Sequence, residues 1–158
     1  MRGKQAPKRS ILPDPKYHSL LLAKFINYLM IDGKKTIAQQ IVYSALDILT
    51  KKQDGADAMK LFEKIIEIAK PQVEVRSKRV GGANYQVPMP VLGQRGETLA
   101  FRWILVAARA RKNAAMEHKL AAEFNDILEG IGGTMKKRDD VHRMAEANKA
   151  FAHFARRG

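Results

Sequence analysis

The residues of this sequence that could do chemistry are positively charged side chains, and they occur in groups. The groups lie in the first twelve residues, at 76–79, at 95–112 and at 136–138. Their members are Arg2, Lys4, Lys8 and Arg9; Arg76, Lys78 and Arg79; Arg95, Arg102, Arg111 and Lys112; and Lys136, Lys137 and Arg138. The chain has 158 residues, with 29 Lys and Arg against 16 acids, a formal net charge of +13. Such an excess indicates a polyanionic partner, either a nucleic acid or an anionic membrane surface.

The charge is unevenly distributed along the chain. Residues 1–12 carry four cations, no acid and few apolar side chains, so we expect a tail that is disordered or ordered only by a partner. Residues 114–129, in contrast, hold four acids and one lysine. We therefore predict a basic tail at 1–12, followed by one domain at 13–158.

A β-hairpin is predicted where the hydrophobic period changes from 3.6 to 2. Residues 73–80 and 83–88 flank Gly81-Gly82, which tolerates the positive φ of a tight turn. This pairing places Lys78 opposite Tyr85 in an arm at about 72–90. We expect both faces of its outer half to stay off the core and Tyr85 to stack on a base or sugar. The alternative is an edge hairpin whose charges prevent sheet aggregation.

Helical periodicity predicts six helices around this arm. The first ends before Asp32-Gly33, the second runs from Thr36 to about 52, and Asp57 caps the third, which ends at Pro71. The fourth, at about 92–112, is apolar nearly all round and is expected to be central. The fifth covers about 114–129, and Thr134 is expected to cap a sixth that runs to about 153. The predicted fold is mainly α, a single-domain bundle of about six helices with one protruding β-hairpin arm.

Two groups of cations lie at predicted helix ends. Arg95 and Arg102 belong to a stripe with a seven-residue spacing, and Arg111 and Lys112 follow at the C-terminal end, where cations also complement the helix dipole. The group at 136–138 lies in a first turn, where cations oppose the dipole. Cations at this unfavourable position, with no visible group to offset the dipole, suggest a binding site. The alternative is that Asp139 and Asp140 neutralise the group.

Other kinds of chemistry have little support in the sequence. There is no cysteine, and the four histidines lack metal-ligand spacing, so we expect neither metal nor cofactor. The glycine-rich segment 130–134 follows a helix instead of a strand, so it is interpreted as a tight connection instead of a phosphate loop. We expect no enzyme activity, no small-molecule substrate and no membrane partner. The longest apolar run has six residues, too short to span a bilayer.

The sequence resembles the bacterial small-subunit ribosomal protein S7 family from end to end. The resemblance is carried by six segments in order: 12–17 (LPDPKY), 23–27 (AKFIN), 32–35 (DGKK), 81–88 (GGANYQVP), 102–104 (RWI) and 136–148 (KKRDDVHRMAEAN). The family fold is a helical bundle with a β-ribbon, as the periodicity predicts. By matching position, the resemblance adds Lys34 and Lys35 to the RNA-binding residues. The ending at 154–158 differs from the family pattern, so no C-terminal contact is carried over.

The resemblance implies a structural RNA-binding protein of the small ribosomal subunit, in the cytoplasm. It implies a primary binder of the 3′ major domain of small-subunit ribosomal RNA that nucleates assembly of the subunit head. It also implies a position near the exit-site tRNA and the mRNA exit path, with protein S11 as a neighbour. From composition alone an architectural DNA-binding protein, which would grip duplex with the ribbon, remains the main alternative.

Overall fold

A computed structural model of the chain describes residue 3, residues 10–53 and residues 55–156, except for the side chain of Arg156. It contains the helices α1 (Leu20–Leu29), α2 (Lys35–Lys52), α3 (Ala58–Ala69), α4 (Gln94–Ala110), α5 (Met116–Leu128) and α6 (Gly132–Ala147). Strands β1 (Val73–Val80) and β2 (Ala83–Pro90) lie between α3 and α4, and a C-terminal 3-10 helix covers Lys149–Arg156. The prediction of a mainly α fold with about six helices and one β-hairpin is confirmed.

The chain forms two compact units, Met1–Gln40 and Ile41–Gly158. In the first unit, the buried carboxylate of Asp14 accepts the backbone N–H groups of Lys16 and Tyr17 at 3.1 and 3.0 Å, which closes the turn before α1. The Ser19 hydroxyl then accepts the N–H of Leu22 and caps α1. The predicted boundary after residue 12 lies within this unit and stays a prediction.

The second unit has α4 at its centre, as the sequence predicts. Helix α4 contacts α3, α5 and α6, and its side chains Phe101 and Ile104 are fully buried. Beside it, the rings of Phe62 on α3 and Phe124 on α5 meet edge to face with centroids 6.0 Å apart. This core fixes the ends of α4 and α6, and Arg95, Arg111, Lys112 and the cations at 136–138 lie at or next to these ends.

The hairpin has the predicted register and turn. Lys78 pairs with Tyr85 and Arg79 with Asn84, and both turn glycines have positive φ, 57° at Gly81 and 92° at Gly82. Because side chains alternate across a strand, Lys78 and Tyr85 share one face with the buried Val87. The other face of the outer half presents exposed side chains only: Ser77, Arg79, Asn84 and Gln86.

The expectation that neither face of the outer ribbon packs is wrong for the face that carries Tyr85. Its ring lies 5.2 Å from the rings of both Phe151 and Phe154, and the Lys78 Nζ donates to the Phe154 carbonyl at 2.9 Å. The C-terminal 3-10 helix therefore covers one face of the ribbon. An isolated two-stranded hairpin is marginal in water, and this cover supplies the apolar contact that it needs.

The predicted bounds of the sixth helix are also corrected. Helix α6 begins at Gly132 and ends at Ala147, and its N-cap position is held by Ile131, which offers no side-chain acceptor. Thr134 is therefore not the cap; it lies in the first turn with its side chain buried. At the other end the Asn148 amide donates to the Met144 carbonyl at 2.8 Å, and the 3-10 helix follows. Periodicity continues through Phe151, so the change of helix type had no signal in the pattern.

We predict that replacing Phe154 with alanine loosens the outer ribbon. Aromatic pairs contribute about 0.5–1.5 kcal/mol beyond area burial, so amides of the outer ribbon should exchange about fivefold faster. Hydrogen–deuterium exchange measures this directly. Met144→Ala, an exposed position on α6, is the matched control and should leave ribbon exchange unchanged. Equal exchange in the two variants would show that the 3-10 helix does not support the ribbon.

Candidate nucleic-acid interface

The predicted cations divide into two sets according to their contacts. Twelve of them lie in the described part of the chain. The side chains of five have partners within the protein: Arg76, Lys78, Arg95, Arg111 and Arg138. The side chains of seven make no hydrogen bond or ion pair with another described residue, and all seven are exposed: Lys34, Lys35, Arg79, Arg102, Lys112, Lys136 and Lys137. Arg2, Lys4, Lys8 and Arg9 lie outside the described residues.

Glu74 holds two of the predicted arginines at the base of the ribbon. Its carboxylate is 8% exposed and accepts Nε and Nη2 of Arg95 at 3.0 and 2.9 Å, while Arg76 bonds its other oxygen. Burial raises the pKa of Glu74, but the hydrogen bonds and charges of Arg95 and Arg76 outweigh this and hold the pKa below its ordinary value. The carboxylate thus joins β1 to the start of α4 and fixes both guanidinium groups.

Glu123 and Asp126 bind Arg111 just after α4. Arg111 donates through Nε and Nη2 to Glu123 at 3.1 and 2.6 Å, and Nη2 also bonds Asp126. Burial lowers the pKa of Arg111, but its bonds to the two acids outweigh this and raise it above the ordinary value. Two acids neutralise this guanidinium, so Arg111 shapes the site more than it adds charge to it.

The same carboxylate of Glu123 reaches the start of α6. Its Oε1 accepts the backbone N–H and the hydroxyl of Thr134 at 2.9 and 2.7 Å. Glu123 therefore does for α6 what an N-cap side chain does for other helices, although it belongs to α5. The expectation that the cations at 136–138 lack compensation is wrong, because a buried acid faces the positive end of the helix dipole.

Two glycines allow the first turn of α6 to lie close to α5 and α4. Gly132 has φ +93°, and a Cβ there would lie 2.9 Å from the Cβ of Asp126; a Cβ on Gly133 would lie 3.0 Å from the Cβ of Ala107 on α4. The interpretation of residues 130–134 as a tight structural connection is consistent with this geometry. The result is that the segment after α4 and the first turn of α6 bind one carboxylate and lie side by side.

Arg138 has a structural contact that distinguishes it from Lys136 and Lys137. Its Nη1 donates to the Ile68 carbonyl in the last turn of α3 at 2.8 Å, and its Nε and Nη2 bond Asp139. A cation at a helix C-terminus also complements the dipole. Lys136 and Lys137 therefore carry the exposed charge of this group.

Sequence reasoning missed Glu74, Glu123 and Asp126, the acids that organise the predicted cations. A signal existed for Glu123: it lies three residues after Leu120 and four before Ile127, on the apolar face of α5. An acid on a buried face needs partners, so its position alone indicates an internal ion pair. Tyr85, predicted to stack on a base, packs on the aromatic rings of the C-terminal 3-10 helix.

Two kinds of site are missing from the described residues. No group of three His or acidic side chains there is arranged to hold a metal ion. No described helix is both long and apolar enough to cross a membrane. Two histidines make hydrogen bonds to the backbone: the Nε2 of His142 accepts the N–H of Gln72 at 3.2 Å, and the Nδ1 of His153 lies 2.8 Å from the Ala150 carbonyl oxygen.

Exposed lysines beside internally paired acids, on a chain with a net charge of +13, are typical of the class of nucleic-acid-binding proteins. Comparison with known proteins defines the class further. The family model described as ribosomal protein S7p/S5e matches residues 1–149. The chain is 54% identical over 153 residues to the small ribosomal subunit protein uS7 of Francisella philomiragia, and 55% identical to that of Francisella tularensis subsp. holarctica. Both alignments cover 97% of this chain and 98% of the relative.

The chain therefore belongs to the ribosomal protein S7p/S5e family. Membership gives it a structural, rRNA-binding role in the ribosome and not an enzymatic one. The family resemblance inferred from the six sequence segments is confirmed.

We predict that Glu74 stabilises the protein in a pH-dependent way. Because its pKa in the folded state lies below the ordinary value of a glutamate, its contribution is complete above that ordinary value and is lost as pH falls through the folded-state pKa. Glu74→Gln should lower the free energy of unfolding at neutral pH by about 1 kcal/mol, since both arginines remain partly in water. It should also flatten the dependence of this free energy on pH in the acid range.

The measurement is urea unfolding between neutral and acid pH. The matched control is Glu63→Gln, an exposed position on α3 that makes no described ion pair. Identical pH profiles for the Glu74 variant and the unmodified protein would contradict the assignment.

Proposed function

We propose that the chain is a primary binder of the 3′ major domain of small-subunit ribosomal RNA and nucleates assembly of the subunit head. In this proposal it lies near the exit-site tRNA and the mRNA exit path and contacts protein S11. Identity of more than half the residues with small-subunit proteins over nearly the full length supports the proposal. The basic tail at 1–12 and a domain at 13–158 with an arm at 72–90 are its parts.

One observation carries the RNA-binding assignment: the cations without internal partners are exposed, while the acids that lie among the binding residues are buried or paired. Glu74 and Glu123 are 8% and 1% exposed, whereas Lys112, Lys136 and Lys137 all reach solvent. An RNA backbone approaching these lysines therefore meets positive charge whose nearby acids are already neutralised. This arrangement favours phosphate binding more than the net charge alone would.

The described binding residues other than Lys78 and Tyr85 are assigned four roles. Lys112, Lys136 and Lys137 bind phosphates beside the α4–α6 junction. Arg79 and Arg102 extend this contact to the open face of the ribbon and along α4, and Arg76, Arg95, Arg111 and Arg138 add directed hydrogen bonds from guanidinium groups that the protein holds in place. In the first unit, Lys34 and Lys35 provide a separate contact beside the turn at Asp32-Gly33. Asp32 and Gly33 both have positive φ in this turn.

The proposal is tested by chemical footprinting on transcripts of small-subunit RNA, with duplex DNA of equal mass as the competitor. A head-domain RNA should be protected at low protein concentration and should resist the competitor. Protection of duplex DNA with equal affinity would favour the architectural DNA-binding alternative instead. Protection of a different rRNA domain would retain RNA binding and remove the proposed location.

We predict that Lys136→Gln combined with Lys137→Gln weakens RNA binding without destabilising the protein. Both side chains are exposed and make no described ion pair, so the denaturant midpoint should change little. Loss of two phosphate contacts should reduce the slope of log affinity against log salt by about 1.4–1.8. Arg138 is left unchanged because its bond to the Ile68 carbonyl joins α6 to α3.

The matched control is Lys60→Gln combined with Lys64→Gln. These lysines are exposed on α3, and their replacement changes the net charge by the same amount. The control should retain nearly all the affinity. If the two double variants lose equal affinity, only net charge matters and the α6 lysines leave the site.

We also predict that removing residues 1–12 lowers RNA affinity and leaves the melting temperature nearly unchanged. The segment contributes four cations and no acid, and the described part of it includes Leu12, which is 81% exposed. Each lost phosphate contact should lower the salt slope by about 0.7–0.9. An unchanged slope after the deletion would show that the tail does not bind RNA.

A further inference from the structure

We propose that Glu123 is a positioning residue for RNA binding: its buried carboxylate holds Lys112 and the lysine pair at 136–137 together as one phosphate-binding surface. Lys112 follows directly after Arg111, and Lys136 lies two residues after Thr134. Arg111 and Thr134 both bond Glu123, so each lysine group is adjacent in the chain to a residue that the carboxylate holds. The inference rests on the proposed binding role of these lysines.

The geometry gives Glu123 a larger role than that of an ordinary ion pair. Its two oxygens accept hydrogen bonds from different segments. Oε2 accepts from Arg111, and Oε1 accepts from both the N–H and the hydroxyl of Thr134. The accepted groups come from segments 11–12 positions away in opposite directions along the chain. Glu123 is 1% exposed and Thr134 is 0% exposed, so water cannot take over either contact.

Helices α4 and α6 also pack directly against each other, but no other described side chain hydrogen-bonds both segments. Asp126 also bonds Arg111 through its side chain, and its backbone carbonyl accepts the N–H of Ile131, at the N-cap position of α6, at 2.8 Å, but none of its described hydrogen bonds reaches a residue within α6. Asp139 bonds Arg138 within α6 and does not reach the segment after α4. Ile131, at the N-cap position of α6, has no side-chain acceptor. Among the described residues, only Glu123 hydrogen-bonds both Arg111 and a residue within α6.

The sign of the effect separates positioning from plain electrostatics. Glu123→Gln raises the net charge by one, and removal of an acid near an RNA-binding surface should by itself strengthen RNA binding. Positioning predicts the opposite, because an amide cannot hold Arg111 as a carboxylate does, so the two lysine groups lose their fixed spacing. The expected result is a three- to tenfold loss of affinity for head-domain RNA at low salt, about the loss of one or two phosphate contacts.

A matched control on the same helix removes the same charge elsewhere. Glu117, in the first turn of α5, makes no described ion pair, and Glu117→Gln should keep or slightly raise the RNA affinity. The two single variants are compared by titration at several salt concentrations, with the fraction of folded protein measured by circular dichroism. The salt slope should fall for Glu123→Gln and stay unchanged for Glu117→Gln.

A second pair of variants keeps the test valid if Glu123→Gln folds poorly. Thr134→Val removes only the hydroxyl donor to Oε1 and leaves the net charge unchanged, whereas Thr134→Ser retains the donor. RNA affinity should fall about two- to fivefold in the valine variant, a fraction of what one charge-assisted hydrogen bond contributes. The serine variant should retain the RNA affinity of the unmodified protein. Equal affinities for valine and serine would overturn the proposal.

The result also distinguishes this inference from the proposed function. If unmodified protein fails to bind head-domain RNA, the proposed function falls. If the protein binds and the double variant at 136–137 loses affinity while Glu123→Gln retains or gains it, only the positioning role is overturned. If the lysines prove irrelevant to binding, the positioning role is overturned as well, and RNA binding is then assigned to other cations.

Discussion

The carboxylate of Glu123 is the group on which the part of the Ile41–Gly158 unit that carries Lys112, Lys136 and Lys137 depends. A buried charge is costly unless hydrogen bonds satisfy it, and here the donors come from Arg111 after α4 and from Thr134 in α6. The ends of α4, α5 and α6 therefore cannot shift independently. The glycines at 132 and 133 make this contact possible, since a side chain at either position would press on α5 or α4. The hydrogen bonds of the Glu123 carboxylate and the close packing at the two glycines therefore constrain the same place, where α4, α5 and α6 come together.

Arginine and lysine have different tasks in this protein. Arg76, Arg95, Arg111 and Arg138 make contacts within the protein, three of them through two guanidinium nitrogens to one carboxylate. In the described part of the chain, the lysines of the predicted site other than Lys78 make no ion pair or hydrogen bond through their side chains with another described residue. The planar guanidinium loses less on leaving water and fits a carboxylate, whereas the ammonium group is strongly hydrated. Arginine thus organises the surface, and lysine supplies most of its exposed charge.

The fold was largely predictable because its signals are local. The 3.6-residue period located the helices, Asp57 marked the start of α3, and Gly81-Gly82 fixed the hairpin register. The end of α6 was not predictable: apolar residues continue at helical spacing to Phe151, and no Gly or Pro marks the change near Asn148. The site was predictable in composition but not in organisation. The partners of its arginines lie up to 70 positions away, and only packing brings them together.

The covered face of the ribbon limits how the ribbon can contact a nucleic acid. A two-stranded ribbon in a major groove reads base edges with the side chains of one face, and here the face with Tyr85 packs on Phe151 and Phe154. The face with Arg79 and Asn84 remains open, so a nucleic acid can contact the described outer ribbon through this face. Structured RNA offers surfaces for such a contact in its shallow minor groove and its unpaired segments. The cover on the ribbon therefore determines which face is available, while the preference for RNA over duplex DNA rests on family membership, a distinction that the charge of the chain could not provide.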